Sequence, residues 1–197
     1  MSLADKVRKA DWLNELRALV ILGIALTLVF SLVEVVMMAV GAGDAVAEIP
    51  SNPTGPEEFQ AGGQSMEHLW TQVAIHDPTP AQALWYLGTR LPSAIVVLAA
   101  LFMLLRLLTR ARRANPFTRE TVRDLRWLSV VVTVGGSLAG VLESVATMGL
   151  SEGLKPGTIS GHWDFPVLWL FAGFGVMAVA EVVARGCAMR EELDEVI

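Results

Sequence analysis

Cysteine is nearly absent from this sequence, since only Cys187 among 197 residues carries a thiol. One thiol cannot close an internal disulfide, so a disulfide framework and a zinc cluster built on several cysteines are both excluded. The sequence also has no nucleotide-binding glycine motif and no internal repeat. These counts give no support to a disulfide-rich domain or to a nucleotide-dependent enzyme.

Charge is also scarce, because charged residues make up 18% of the chain and hydrophobic residues 53%. Four apolar runs each contain an uncharged core of 15 or 16 residues, such as Ala18–Val33 and Phe165–Ala180. Each run reaches bilayer length only by including one charged residue near an end. The alternative, a soluble four-helix bundle, requires polar stripes on the outer helix faces, and these cores have none. The composition therefore indicates a membrane protein.

The apolar runs predict an all-α fold, a four-helix transmembrane bundle that forms a single domain over residues 1–197. A basic amphipathic segment, Ser2–Leu16, leads into the first run. That run is too long for the apolar part of a signal peptide, so we expect it to be retained. Pro92 predicts a bend in a second helix running from about Ala81 to Leu108. The predicted spans are residues 18–40, 84–108, 127–148 and 165–184.

Two polar loops, residues 41–80 and 149–164, connect the spans on one side. Helical spacing predicts a short interfacial helix over Ser65–Ile75, from the apolar residues Met66, Leu69, Trp70 and Val73. Thr79 followed by Pro80 predicts a helix cap with proline in the first turn.

Arg106–Arg126 is a short arginine-rich link between two apolar runs, with seven arginines. Its centre, Asn115-Pro116, disfavours helix and predicts that the incoming helix ends near Ala114. Thr118 is then expected to cap the next helix, with Glu120 in its first turn.

Lysine and arginine are divided unequally between the two sides of the predicted membrane. Thirteen of the fifteen lie in the N-terminal segment, the link and the tail, and only Arg90 and Lys155 lie opposite. The positive-inside rule predicts cytoplasmic termini, a cytoplasmic link over residues 109–126, a cytoplasmic tail over residues 185–197 and two external loops. The expected location is a bacterial-type cytoplasmic (inner) membrane, crossed several times.

Three ionisable residues, Glu34, Arg90 and Glu143, are expected at similar depth in three different spans. One hypothesis is a buried polar centre in which Arg90 bridges the two glutamates. The alternative is that Arg90 extends to the headgroups while each glutamate bonds a nearby serine or threonine. A stripe of Gly23, Thr27 and Ser31 continues to Glu34 and predicts that this face of the first helix points inward.

Two further patterns have a simple packing interpretation. Glu181 precedes Arg185 by four residues, which predicts an ion pair along one helix. Gly136, Gly140 and Ser144 form a face of small residues that permits close approach of another backbone. We favour packing inside one protomer for this face, and a homo-oligomer contact is the alternative.

The sequence does not indicate an enzyme, a cofactor or a metal site. His68, His76 and His162 lie near carboxylates in the predicted external loops, where they could ligate zinc or sense acid, but their spacing matches no ligand motif. No serine or cysteine is placed to form a catalytic set with them.

The arginine link predicts a surface for anionic lipid or for a cytoplasmic partner. Direct binding of nucleic acid is not expected, because interleaved aromatic residues and a recognition fold are missing. The residues predicted for this surface are Arg110, Arg112, Arg113, Asn115, Pro116, Phe117, Arg119 and Arg123.

Two stretches, Asn115-Pro116-Phe117 before a helix containing Leu125-Arg126 and the chain end Ala180–Ile197, resemble a family of prokaryotic membrane proteins known as domain of unknown function 2975. The tail departs from the usual Leu-Thr-Val or Leu-Thr-Ile ending of that family. The resemblance implies four spans, no established activity and a cytoplasmic helix-turn-helix regulator as a partner, because such regulators are often encoded beside family members.

These observations favour a non-enzymatic sensor or regulatory membrane protein that works with a cytoplasmic partner. The alternatives are a small proton- or ion-coupled transport component that uses the buried carboxylates, and an accessory membrane subunit.

Overall fold

The computed structural model describes residues 12–40, 45–51, 69–75, 78–113, 118–154 and 166–194. Within these, side chains are described for residues 14–40, 75, 78–111, 118–152 and 166–189. The helices are α1 (Trp12–Val40), α2 (Pro80–Gly88), α3 (Leu91–Arg113), α4 (Arg119–Val130), α5 (Gly136–Leu154) and α6 (Val167–Asp194), with a π-helical turn (Val131–Gly135) joining α4 to α5.

Among the described residues, four helical segments are long and apolar enough to cross a membrane, and helices dominate the fold, which confirms the predicted all-α fold class. They are Asn14–Val40, Leu91–Ala111, Arg119–Glu152 and Val167–Met189. Their outer faces carry large exposed apolar side chains, for example Leu168 and Phe171, which are 80% and 72% exposed. Such faces suit contact with lipid and are unfavourable in water.

Both predicted helix starts are present. Thr79 Oγ1 accepts a hydrogen bond from the Gln82 N–H at 3.3 Å, and Gln82 Oε1 accepts one from the Thr79 N–H at 2.9 Å, which completes a capping box. Thr118 Oγ1 accepts a hydrogen bond from the Thr121 N–H at 3.2 Å at the start of α4, and Glu120 lies in the first turn. The incoming helix α3 ends at Arg113, next to the predicted end at Ala114.

The second predicted helix is interrupted where a bend was expected, so the prediction of one helix from Ala81 to Leu108 is wrong. α2 ends at Gly88, Thr89 and Arg90 form a turn, and α3 begins at Leu91. Pro92 explains the break, because its ring conflicts with the carbonyl four residues earlier and it has no N–H to donate. In the second position of α3 the missing N–H leaves no helical bond unmade.

The prediction of an interfacial helix over Ser65–Ile75 is wrong for its described part, because Leu69–Ile75 is a β-strand (β2). The first four residues of that prediction lie outside the described residues. It pairs antiparallel with β1 (Ala45–Ser51), in a register that joins Ala45 to Ile75 and Ser51 to Leu69. Strand β2 contains the β-branched residues Thr71, Val73 and Ile75, which favour extended backbone.

The described chain divides into two compact units. The first contains residues 1–29, 95–136 and 167–197. In it, Val20 and Ile24 of α1 pack with Leu108 of α3, and Leu98, Leu101, Leu104 and Leu105 surround them. A second cluster joins α3, α4, the π turn and α6, and consists of Leu107, Leu128 and Val132 with Ala100, Met103, Leu125, Trp169 and Val176.

The second unit contains residues 30–94 and 137–166. Its best buried residues include Leu150 and Ala146 of α5, which are 1% and 3% exposed. A Cβ added to Gly88, at the end of α2, would lie 2.9 Å from the Ala146 Cβ, and one added to Gly149 would lie 2.7 Å from the Trp85 ring. Helices α2 and α5 therefore approach closely just before the break at Thr89.

Candidate functional sites

The carboxylate of Glu143 makes a hydrogen bond to the main chain of another helix. Glu143 Oε1, on α5, accepts the Ser93 N–H of α3 at 2.9 Å, across 50 residues of sequence. Ser93 lies in the first turn of α3, where the N–H groups have no partner within the helix. The carboxylate thus caps the N-terminus of α3. A capping side chain normally comes from the residue just before the helix, whereas this one comes from another helix.

The surroundings of this contact provide donors for a carboxylate. Carboxylates are stabilised at helix N-termini, because the first N–H groups and the helix dipole both present positive charge. Pro92 removes one N–H from the first turn, so Ser93 is among the few donors that the turn still offers. The same stripe of α5 carries Ala146 against Gly88, so α5 contacts both sides of the α2–α3 break.

The other two residues of the predicted polar centre lie in the same compact unit as Glu143. Arg90 is exposed in the turn between α2 and α3, and its N–H donates to the Leu87 carbonyl. Glu34 is half-buried in α1. Within the described residues the recorded ion pairs do not include one between Arg90 and either glutamate, so the bridge stays a prediction.

The predicted stripe of small residues on α1 is less exposed than the rest of the helix. Gly23, Thr27, Ser31 and Glu34 are all half-buried, whereas most of their neighbours are exposed. Thr27 Oγ1 donates to the Gly23 carbonyl at 2.8 Å, so its hydroxyl is satisfied within α1.

In the arginine link, Arg110 pairs with acidic residues of α4. Arg110 Nη1 lies 2.7 Å from Asp124 Oδ2 and 3.7 Å from Glu120 Oε2. Asp124 is the less exposed of the two carboxylates, so its pair is the better shielded from screening. This contact joins the end of α3 to the first turns of α4 around the arginine link.

The predicted pair between Glu181 and Arg185 is present, and it includes a second arginine. Glu181 Oε1 lies 3.6 Å from Arg185 Nε, and Glu181 Oε2 lies 3.6 Å from Arg126 Nη2 of α4. Glu181 is 53% exposed, so each pair contributes little by itself. Together the pairs connect the last residue of the link, Arg126, to the C-terminal half of α6.

The remaining residues of the predicted partner or lipid surface are only partly described. Arg119 and Arg123 are exposed on α4. Arg112 and Arg113 lie in the last turn of α3, and their side chains lie outside the described residues, as do Asn115, Pro116, Phe117 and the three histidines. In the described part of the chain no three metal-ligating side chains cluster together.

The profile of a family described as "Protein of unknown function (DUF2975)" matches residues 68–197, which is more than half of the chain. The chain belongs to this family. No curated protein and no solved structure matches it. The family match includes Arg90, Glu143 and the whole arginine link, and it does not include Glu34.

Within the family-matched part, the small-residue face packs inside the protomer at two positions. A Cβ on Gly136 would collide with the Trp169 side chain of α6, and one on Gly140 would lie 3.5 Å from Pro166. Ser144 Oγ donates to the Gly140 carbonyl at 2.8 Å. These contacts agree with the favoured interpretation of this face.

The sequence reasoning missed a polar contact between α4 and α6. Ser129 Oγ donates to the Gly173 carbonyl at 2.8 Å, and both residues are buried. A Cβ on Gly173 would collide with Thr133 of the π turn, so only glycine permits this approach. The signal that could have revealed it was a glycine inside the fourth span opposite a serine in the third, the small-polar pattern of packed membrane helices.

Proposed function

We propose that this protein is a non-enzymatic sensor or regulatory membrane protein that acts through a cytoplasmic partner. The observation that carries the proposal is the paired charge at the ends of α3, α4 and α6. The Arg110–Asp124 and Arg126–Glu181–Arg185 contacts connect these helices, and Arg119 and Arg123 are exposed on α4. Exposed arginines beside these paired charges suit contact with an acidic protein surface, because arginine forms two-point contacts with carboxylates.

The proposal requires that this surface faces the cytoplasm, as the distribution of lysine and arginine predicts. Single cysteines placed on a Cys187→Ser background can be labelled from outside intact cells with a membrane-impermeant reagent. We expect labelling at positions 44 and 157 and none at positions 112 and 192. Labelling of position 112 from outside would show that the topology is the opposite of the predicted one, and it would reject the hypothesis of a cytoplasmic partner at this surface.

The partner itself is tested by purification in mild detergent followed by identification of retained proteins. We expect a cytoplasmic DNA-binding regulator to be retained by the wild-type chain and lost with Arg119→Glu/Arg123→Glu. Lys155→Glu is the control for charge reversal, because Lys155 is predicted to lie on the opposite side. Equal recovery from both variants would show that the arginines of α4 do not form the contact.

A second candidate function, a proton- or ion-coupled transport component, is favoured by Glu143. This carboxylate lies inside a membrane-span helix and contacts the start of α3, next to the turn that separates α2 from α3. Ionisable groups in such positions are characteristic of ion pathways. Reconstituted protein should then dissipate an imposed pH gradient, and Glu143→Gln should abolish the flux. A wild-type rate equal to that of empty vesicles would reject this candidate.

A further inference from the structure

A groove of about 330 Å³ lies on one face of α3, near the C-terminal end of the span Leu91–Ala111. Its residues recur at helical spacing, so they form one stripe about 12 Å long. Apolar side chains line the end nearer the middle of the span, and two arginines line the other end. The lining residues are Phe102, Leu105, Arg106, Thr109 and Arg110.

Arg106 is the unusual member of this stripe. It lies inside the span and is exposed, and within the described residues no hydrogen bond or ion pair is recorded for its guanidinium. A charged side chain at this depth is unfavourable unless it reaches the interface or meets an opposite charge. Arg185 is the informative contrast, because it also lies in the last turns of a span and pairs with Glu181.

We propose that this groove binds one anionic phospholipid, with the phosphate on Arg106 and an acyl chain along Phe102 and Leu105. The order of the lining residues matches the order of the lipid, because the arginines lie toward the end of the span and the apolar side chains toward its middle. Arginine binds phosphate through two parallel N–H donors, which gives a defined headgroup position.

Arg110 is a supporting contact in this site. Its Nη1 already donates to Asp124 Oδ2 at 2.7 Å, and the guanidinium has further N–H groups that this bond leaves unused. The nearby carboxylate lowers the attraction of Arg110 for a second anion, so Arg106 provides most of the binding. Thr109 donates its hydroxyl to the Leu105 carbonyl at 2.7 Å and is not needed as a donor to the lipid.

Charge argues against two other occupants of the groove. The N-terminal segment Ser2–Leu16 carries three cations, Lys6, Arg8 and Lys9, against three carboxylates, Asp5, Asp11 and Glu15, so it has no net negative charge to offer Arg106. A second copy of the chain presenting the same face would place arginine against arginine. A phospholipid combines a negative headgroup with an apolar chain, and it is present wherever the protein lies in a membrane.

Native mass spectrometry of the purified full-length protein tests the proposal. Phosphatidylglycerol and phosphatidylcholine with identical acyl chains are titrated into wild type, Arg106→Gln and Arg185→Gln. We expect retention of phosphatidylglycerol above phosphatidylcholine, and a fall of about fivefold in its affinity for Arg106→Gln only. Arg185→Gln removes the same charge near the end of another span and is the matched control. An equal fall in both variants would overturn the site, because it would show only a general loss of charge.

A second arm separates a lipid from a simple anion. Phe102→Ala should weaken phosphatidylglycerol binding, whereas Phe174→Ala, which truncates another exposed aromatic side chain in a span, should not. Inorganic phosphate at the same concentration should not displace the lipid. Displacement by phosphate together with unchanged binding by Phe102→Ala would show an anion site without a lipid. The proposal does not depend on the regulatory function, since loss of lipid binding and loss of a retained partner are measured separately.

Discussion

Glu143 and Glu181 are carboxylates in apolar helices, and the regions around them accommodate the charge in different ways. Glu143 is half-buried and accepts one hydrogen bond from the main chain of α3. Glu181 is 53% exposed and lies 3.6 Å from two arginine side chains. One region uses a fixed backbone donor, and the other uses flexible cations.

The difference shows what each carboxylate can do for the fold. A main-chain N–H at a helix start has one position, so the Glu143 contact fixes how α3 begins beside α5. Arginine side chains can follow a moving carboxylate, so the Glu181 contacts join α4 to α6 without demanding one geometry. The first contact specifies structure, and the second permits adjustment at a surface that is proposed to meet a partner.

The largest effect is expected for Glu143→Ala. It leaves the Ser93 N–H without its partner in a weakly solvated position, which should lower the free energy of unfolding by about 2 kcal/mol. Denaturant titration in mixed micelles, followed by circular dichroism, measures this. Glu143→Gln is the matched control. Its amide oxygen can still accept the Ser93 N–H, so this variant should keep most of the stability that Glu143→Ala loses. Equal losses in the two variants would mean that the hydrogen bond contributes nothing.

A smaller effect, about 1 kcal/mol, is expected for Ser129→Ala, which removes the buried hydrogen bond to the Gly173 carbonyl. This variant tests whether a neutral hydrogen bond between α4 and α6 contributes more to the free energy of unfolding than the charged contacts between the same helices. The same titration measures the loss, and Ser144→Ala is the control because that hydroxyl donates to a carbonyl of its own helix. A loss in the control as large as that in Ser129→Ala would contradict the prediction.

Glu181→Gln should cost less than about 1 kcal/mol, because its pairs with Arg126 and Arg185 are half-exposed. The loss should shrink as salt is raised, whereas the loss caused by Glu143→Ala should change little. Unfolding measured at low and high ionic strength separates the two behaviours. Equal salt dependence at both sites would show that the backbone contact of Glu143 and the side-chain contacts of Glu181 do not differ in their sensitivity to screening.

The smallest effect, below about 0.5 kcal/mol, is expected for Arg90→Ala, because the side chain is exposed and the ion pairs among the described residues do not join it to Glu34 or Glu143. Thermal unfolding of Arg90→Ala and Arg90→Ala/Glu34→Gln checks this. If Arg90 instead bridges the two glutamates, Arg90→Ala becomes the most damaging variant, and Glu34→Gln recovers part of the loss.

Features that depend on neighbouring residues were predictable from the sequence. The caps at Thr79 and Thr118 follow from side chains three residues from their partners. The Glu181–Arg185 pair follows from spacing along one helix, and the apolar runs reveal the four spans. In each case the deciding contact or pattern lies within one stretch of sequence.

Features that depend on distant residues were not predictable in this way. Leu69–Ile75 has apolar residues at helical spacing, yet it is a strand because it pairs with Ala45–Ser51 far away in the sequence. The hydrogen bonds from Ser93 to Glu143 and from Ser129 to Gly173 join residues 50 and 44 positions apart. A single sequence shows that these groups are polar but does not show which group on another element meets them.

The bond between Ser93 and Glu143 has a consequence for the order of assembly. The chain is made from its N-terminus, so Ser93 is synthesised 50 residues before its acceptor. During insertion the first turn of α3 must satisfy its N–H with water or a headgroup until α5 arrives. Arrival of Glu143 releases that temporary partner and completes the helix start. Membrane insertion of α3 and maturation of its first turn are therefore two separate events, and a chain truncated before α5 can complete only the first.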